Sequence, residues 1–132
     1  VEKELKAMSV NKLHDEFHTL DMAAGWEVPE GYPSGIRQKI LSGALDEDGE
    51  GGSRTRFLRF DAGAFTTEPF VHTYWEEVLL ISGDLSVYDG DSGQWKAFEP
   101  YTYACRPPGA FHGPFRSECG CLLMEIHYYD PA

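Results

Sequence analysis

The chain has little positive charge. Eleven Lys and Arg stand against 22 Asp and Glu in 132 residues, a formal net charge of -11. Such a surface repels phosphate backbones and anionic lipid headgroups, which excludes a nucleic-acid or membrane-surface binder. No apolar run approaches the roughly 20 residues that span a bilayer as a helix. Three cysteines, Cys105, Cys119 and Cys121, are too few for a disulfide framework, and they predict reduced thiols in a cytoplasmic protein. Helical periodicity is scarce as well. Only residues 1–20 carry it, with Leu5, Met8, Leu13, Phe17 and Leu20 spaced by three to five residues, so this stretch is expected to be a short amphipathic helix or an arm lying on a neighbouring subunit.

What the chain does have is turn chemistry. Fourteen Gly and eight Pro punctuate it at short intervals. Residues 23–35 (AAGWEVPEGYPSG) predict a loop whose exposed Trp26 and Tyr32 cover something. From residue 36 onward, strands are expected at 36–42, 54–60, 78–81, 85–88, 95–98, 102–105 and 121–129. Polar, Gly-rich turns at 46–53 and 89–94 separate some of them, and Ser82-Gly83-Asp84 predicts a tight hairpin. Strands at such spacing define an all-β sandwich or barrel. We divide the single domain into an arm and covering loop (1–35) and a barrel (36–132).

Two polar clusters interrupt this pattern. The first, 71–78 (VHTYWEEV), places His72, Tyr74, Glu76 and Glu77 directly before an apolar strand. The second, 107–114 (PPGAFHGP), places His112 after a rigid Pro-Pro-Gly turn that fixes the direction of the chain. Imidazoles and carboxylates held on rigid β elements are the ligands a divalent transition metal takes.

These clusters resemble the two motifs of the cupin superfamily, G-x5-H-x-H-x3,4-E-x6-G and G-x5-P-x-G-x2-H-x3-N. His72-x3-Glu76-x6-Gly83 is similar to the second half of the first, and Pro107-x-Gly109-x2-His112 to the centre of the second. Residues 54–85 look most like the cupin domain of ChrR-type anti-sigma factors and their free-standing enzyme relatives. The resemblance implies a double-stranded β-helix, a jelly-roll barrel with a metal in one mouth, held here by His72, Glu76 and His112. Phe70 stands where the first motif has its leading histidine, Tyr101 replaces the second motif's glycine, and Arg116 replaces its asparagine. A second register remains open, with His72 first, Tyr74 in place of the second histidine and Glu77 as the carboxylate.

The resemblance further implies a dioxygenase-type oxidoreductase using one divalent metal, Fe(II) ahead of Zn, Mn or Ni, on a small organic acid or diketone-like molecule. Tyr74 or Glu77 would carry protons beside the metal. A homodimer is expected, because barrels of this kind have edge strands that pair. The alternatives are a non-catalytic metal-binding or ligand-sensing cupin, and a metal-free isomerase or cyclase using a His–Glu acid–base pair.

Other polar residues carry less. His14 and His18 fall at i and i+4 but lack the glutamate and third ligand of a helical zinc motif. Cys119 and Cys121 would sit about 6.6 Å apart along a strand, with no matching pair. His127 and Glu125 share one face of the last strand, opposite Leu122, Met124 and Ile126, which predicts that they point outward or into an interface. Arg56, Arg59 and Arg106 are candidates for binding a substrate carboxylate or for pairing with the chain's own acids. Phe65, Phe70, Tyr74, Trp75, Tyr103 and Phe111 are candidates for an aromatic wall at the metal mouth or for ordinary core.

Overall fold

The computed structural model describes residues 10–131. Eight strands follow one another: β1 (Ile36–Asp46), β2 (Gly51–Phe60), β3 (Trp75–Gly83), β4 (Leu85–Asp89), β5 (Gln94–Phe98), β6 (Tyr103–Arg106), β7 (Phe115–Arg116) and β8 (Cys121–Tyr128). They form a five-stranded sheet in the order β1-β2-β8-β3-β6 and a three-stranded sheet in the order β5-β4-β7, all pairs antiparallel. The expected all-β jelly roll is what the chain forms. β7 escapes sequence reading because two residues carry no periodicity.

The central strands β2, β8 and β3 lie side by side, so their inward residues form transverse rows. Phe60 faces Cys121, and Leu58, Leu123 and Leu80 line up across the three strands. With Ile36 and Leu85 these residues make the buried apolar core. Further along the same strands the inward residues become charged. Arg56 faces Glu125, and the last row runs Arg54, His127, Glu76, Arg106 from β2 to β6.

Two local expectations change. Residues 1–9 of the expected N-terminal helix lie outside the described residues, and from Lys12 to Leu20 the chain is not helical. Asn11 adopts φ 55, and Leu13 and Phe17 are exposed. A helix this short is marginal in water without an apolar surface to pack on, and these side chains have none. Instead the arm is pinned across the β1–β2 hairpin: Asn11 Nδ2 donates to Ala44 O (3.0 Å), Lys12 Nζ to Thr55 Oγ1 (2.9 Å) and Ser53 Oγ to Val10 O (2.9 Å).

The expected hairpin at Ser82-Gly83-Asp84 is a crossover. β3 belongs to the large sheet and β4 to the small one. Gly83 has φ 85, and a Cβ there would fall 2.0 Å from Gly120 O, so only glycine lets the chain pass. Asp84 ties the corner by accepting from the amides of Glu118 (2.9 Å) and Cys119 (2.8 Å) and from Ser117 Oγ (3.2 Å). Among the described residues no helix is long and apolar enough to cross a membrane.

Candidate metal centre

Backbone pairing brings the two sequence clusters together. Phe70 and His112 exchange amide-to-carbonyl bonds of 2.7 and 2.9 Å, and the Gly109 amide donates to His72 O at 2.9 Å. Gly109 reaches this position with φ 83 after the two prolines. β3 then carries Glu76 inward beside both imidazoles. Nε2 of His112 lies 3.4 Å from Glu76 Oε1, and Nε2 of His72 lies 3.7 Å from Glu76 Oε2. The ligand atoms of His72, Glu76 and His112 all fall within 4.8 Å of one another.

The polar atoms present fit a cation. His72 Nε2 is buried and has no hydrogen-bond partner. A neutral imidazole nitrogen left that way loses its hydration without replacement, unless a metal takes the lone pair. His112 Nδ1 donates to Ala110 O at 3.3 Å, since a carbonyl can only accept. That bond leaves the His112 Nε2 lone pair facing the carboxylate, the tautomer a metal ligand needs. Burial pushes the His72 imidazole down to about 4 and lowers that of His112 as well. Both rings are therefore neutral and ready to ligate at pH 7.

The surroundings are charged and shielded. Glu76 is 3% exposed; it accepts from Arg106 Nη1 at 3.0 Å on Oε1 and meets His127 Nε2 at 2.9 Å on Oε2. One row deeper, Arg56 grips Glu125 through Nε (2.8 Å) and Nη2 (2.7 Å) and also reaches Gln38 Oε1 (2.7 Å). Burial alone would raise the Glu125 carboxyl, but Arg56 and His127 beside it hold it well below the usual carboxylate range. Tyr74 stacks on His72 with ring centroids 4.6 Å apart, and burial raises its phenol above the usual tyrosine value.

The expected outward direction of Glu125 and His127 is reversed. Both are buried, His127 at 0% exposure, and both point into the barrel. The alternation holds, but its apolar half, Leu122, Met124 and Ile126, is the half-buried outer side. The only hint in the sequence is that 54/56, 76 and 125/127 each precede or follow apolar residues of the same parity.

Glu77 lies on the opposite face of β3 from Glu76, where Tyr103 Oη donates to Oε1 and Tyr128 Oη to Oε2 (3.0 Å). It is not among the groups gathered around His72 and His112. Of the candidate aromatic wall, Phe70 and Tyr74 touch the histidine rings, whereas Phe65, Tyr103 and Phe111 are exposed and Trp75 stacks on Tyr128. Tyr32 joins the wall instead, stacked 5.0 Å from Phe70. It is half-buried, as is Trp26, which lies under Arg59 (4.2 Å from the guanidinium carbon to the ring centroid). His14 pairs with Glu16 at the surface (2.5 Å) and takes no part.

A cavity of about 40 Å³ opens against Glu76, Arg106 and His112, walled by Tyr32, Phe70 and Phe115. It shares Val78, Leu85, Arg106, Phe115 and Leu123 with a neighbouring cavity of about 120 Å³. A wider groove, about 540 Å³, runs between residues 31–35 and 63–70 and shares Tyr32 and Phe70 with the smaller cavity at the centre.

This barrel, with imidazoles and a carboxylate at one end, is the cupin fold. No protein-family model matches the sequence, and no curated protein matches it either. The likeness is to solved structures. An acetylacetone dioxygenase from Acinetobacter johnsonii aligns at TM-score 0.64 and 18% identity, over 90% of this chain and 76% of that one. The polyketide cyclase RemF from Streptomyces resistomycificus aligns at 0.65 and 17%, over 89% and 81%. An RmlC-like cupin from Shewanella frigidimarina aligns at 0.62 and 16%, over 91% and 95%.

Proposed function

We propose that the protein is a metal-dependent cupin enzyme, an oxidoreductase of the dioxygenase type that acts on a small organic acid or diketone-like molecule. One observation carries this: two imidazole lone pairs and a carboxylate, from separate parts of the chain, converge on one shielded point, and one of those lone pairs is orphaned. Two histidines and one carboxylate leave coordination positions free for a chelating substrate. Fe(II) suits this ligand set best, followed by Zn, Mn and Ni. Bound there, the cation supplies Lewis acidity and, as iron, one-electron chemistry. The likeness to an acetylacetone dioxygenase supports the reaction class as an analogy of fold.

The chain's own residues divide the remaining work. Arg106, part-exposed beside Glu76, pairs with an anionic substrate oxygen. Phe70, Tyr32 and Phe115 keep bulk water from the cavity. Tyr74, stacked on His72 and kept protonated by burial, is a proton donor beside the ligands. A homodimer in the cytoplasm is the form in which we place this activity.

Protein purified without an affinity-column metal should contain about one transition-metal ion per chain, and His112→Ala should lose it while remaining folded. Unchanged metal content in that variant overturns the proposal. The contact between Glu76 and His127 (2.9 Å) favours a second reading, metal-free acid–base catalysis of isomerisation or cyclisation. Turnover that survives exhaustive chelation selects it.

A further inference from the structure

Two groups of ligand-type side chains share Glu76: one with His72 and His112, the other with Glu125 and His127. By spacing alone either could hold an ion. They differ in what contacts the far nitrogen of the imidazole. In His112, Nδ1 faces a carbonyl and must carry the proton. In His127, Nδ1 faces Arg54, whose Nε lies at 3.1 Å and Nη2 at 2.8 Å. A guanidinium only donates, so His127 Nδ1 must be the acceptor. The proton then sits on Nε2 and points at Glu76 Oε2, 2.9 Å away. An imidazole with a proton on the nitrogen that faces the site cannot ligate through it. A proton on both nitrogens would set an N–H and a positive ring against the Arg54 guanidinium.

We propose that Arg54 and His127 are a positioning pair: Arg54 fixes His127 as the Nε2–H tautomer, and His127 holds the Glu76 carboxylate in place for a cation bound by His72 and His112. His127 is a donor and not a ligand, and the group of Glu76, Glu125 and His127 takes no ion. Arg56 already occupies Glu125, which agrees with this assignment. The pair lies outside both motif segments and comes from strands β2 and β8, and β8 lies between β2 and β3, so that Arg54, His127 and Glu76 stand abreast. The role toward the cation rests on the metal-centre reading above, whereas the tautomer does not.

Two measurements separate these parts. Imidazole nitrogen NMR of the metal-free protein should show the His127 proton on Nε2 and a bare Nδ1. A proton on Nδ1, alone or with Nε2, overturns the pair. Cobalt(II) competition then tests the role. His127→Ala should weaken binding by about 10- to 100-fold. His127→Gln, whose amide N–H reaches the Nε2 position, should restore most of the affinity, and His127→Asn, whose amide reaches only Nδ1, should not. Arg54→Met should weaken binding when residue 127 is histidine and have little effect beside His127→Gln, because an amide has no tautomer to fix. That pattern is not expected of a merely structural contact. Equal losses in the Gln and Ala variants make His127 a ligand, and no loss in either removes its role; both overturn the proposal. A wild-type protein that binds no cobalt removes the metal reading, and the NMR result still decides the tautomer.

Discussion

The barrel interior has two ends built on the same strands. On β8, Cys121 and Leu123 face inward at one end and Glu125 and His127 at the other; on β2 the corresponding residues are Phe60 and Leu58, then Arg56 and Arg54. The apolar end excludes water and supplies most of the stabilisation, at roughly 25 cal/mol per Å² of buried apolar surface. The charged end contributes little by itself, since the desolvation of buried ions offsets their attraction. Its geometry is nonetheless rigid, because each charged residue lies one or two rows along a strand from a packed apolar one. The candidate metal centre therefore sits beside the packed core without being what stabilises the fold.

Five experiments break or sharpen this contrast. Arg56→Ala should have the largest effect, about 3–5 kcal/mol in urea unfolding, because it strands Glu125 in the interior. The double variant Arg56→Met/Glu125→Leu should recover most of that loss, and failure to recover would mean that the charged end holds the fold together. Leu123→Ala, at the apolar end, should cost about 3 kcal/mol through the cavity it leaves.

The third test is pH. The folded His72 value of about 4 lies below the 6.5 of an unperturbed histidine, so the unfolded chain takes up a proton first as pH falls. Stability of the metal-free protein should be complete above pH 6.5 and decline as pH falls toward 4, and His72→Gln should flatten that decline. Asp84→Ala, at the corner between the sheets, should lose on the order of 1 kcal/mol with metal binding intact. Thiol labelling is a further, gentler probe of the apolar end. Burial raises Cys121 to about 11, so it should react far more slowly than the exposed Cys105 and Cys119.

Much of the architecture is legible before folding. Period-two alternation and Gly/Pro turns define the strands, and the Pro107-x-Gly109-x2-His112 spacing marks the second cluster. Strand parity could not choose between Glu76 and Glu77, because Val78 and Leu80 on one side and Leu79 and Ile81 on the other are equally apolar. The choice follows from sheet closure, which leaves Glu77 with Tyr103 and Tyr128 on the outer face. Polar residues are usually solvated, so strand parity by itself points His127 and Glu125 to that outer face. Only the neighbouring strands, with Arg54, Arg56 and Glu76 abreast of them, reveal that they are enclosed and paired. The helix expected near the N-terminus rests on a pattern that needs a surface to pack against.

Local residue order alone determined an all-β chain, the alternation of its strands and the presence of imidazoles and acids on two turn-bounded segments. These depend on backbone preferences and spacing within a few residues. Which alternate face is enclosed, which of two adjacent glutamates meets the histidines and which nitrogen of His127 bears its proton were decided by the tertiary structure. Each of these depends on groups that only sheet pairing and barrel closure bring within hydrogen-bonding distance.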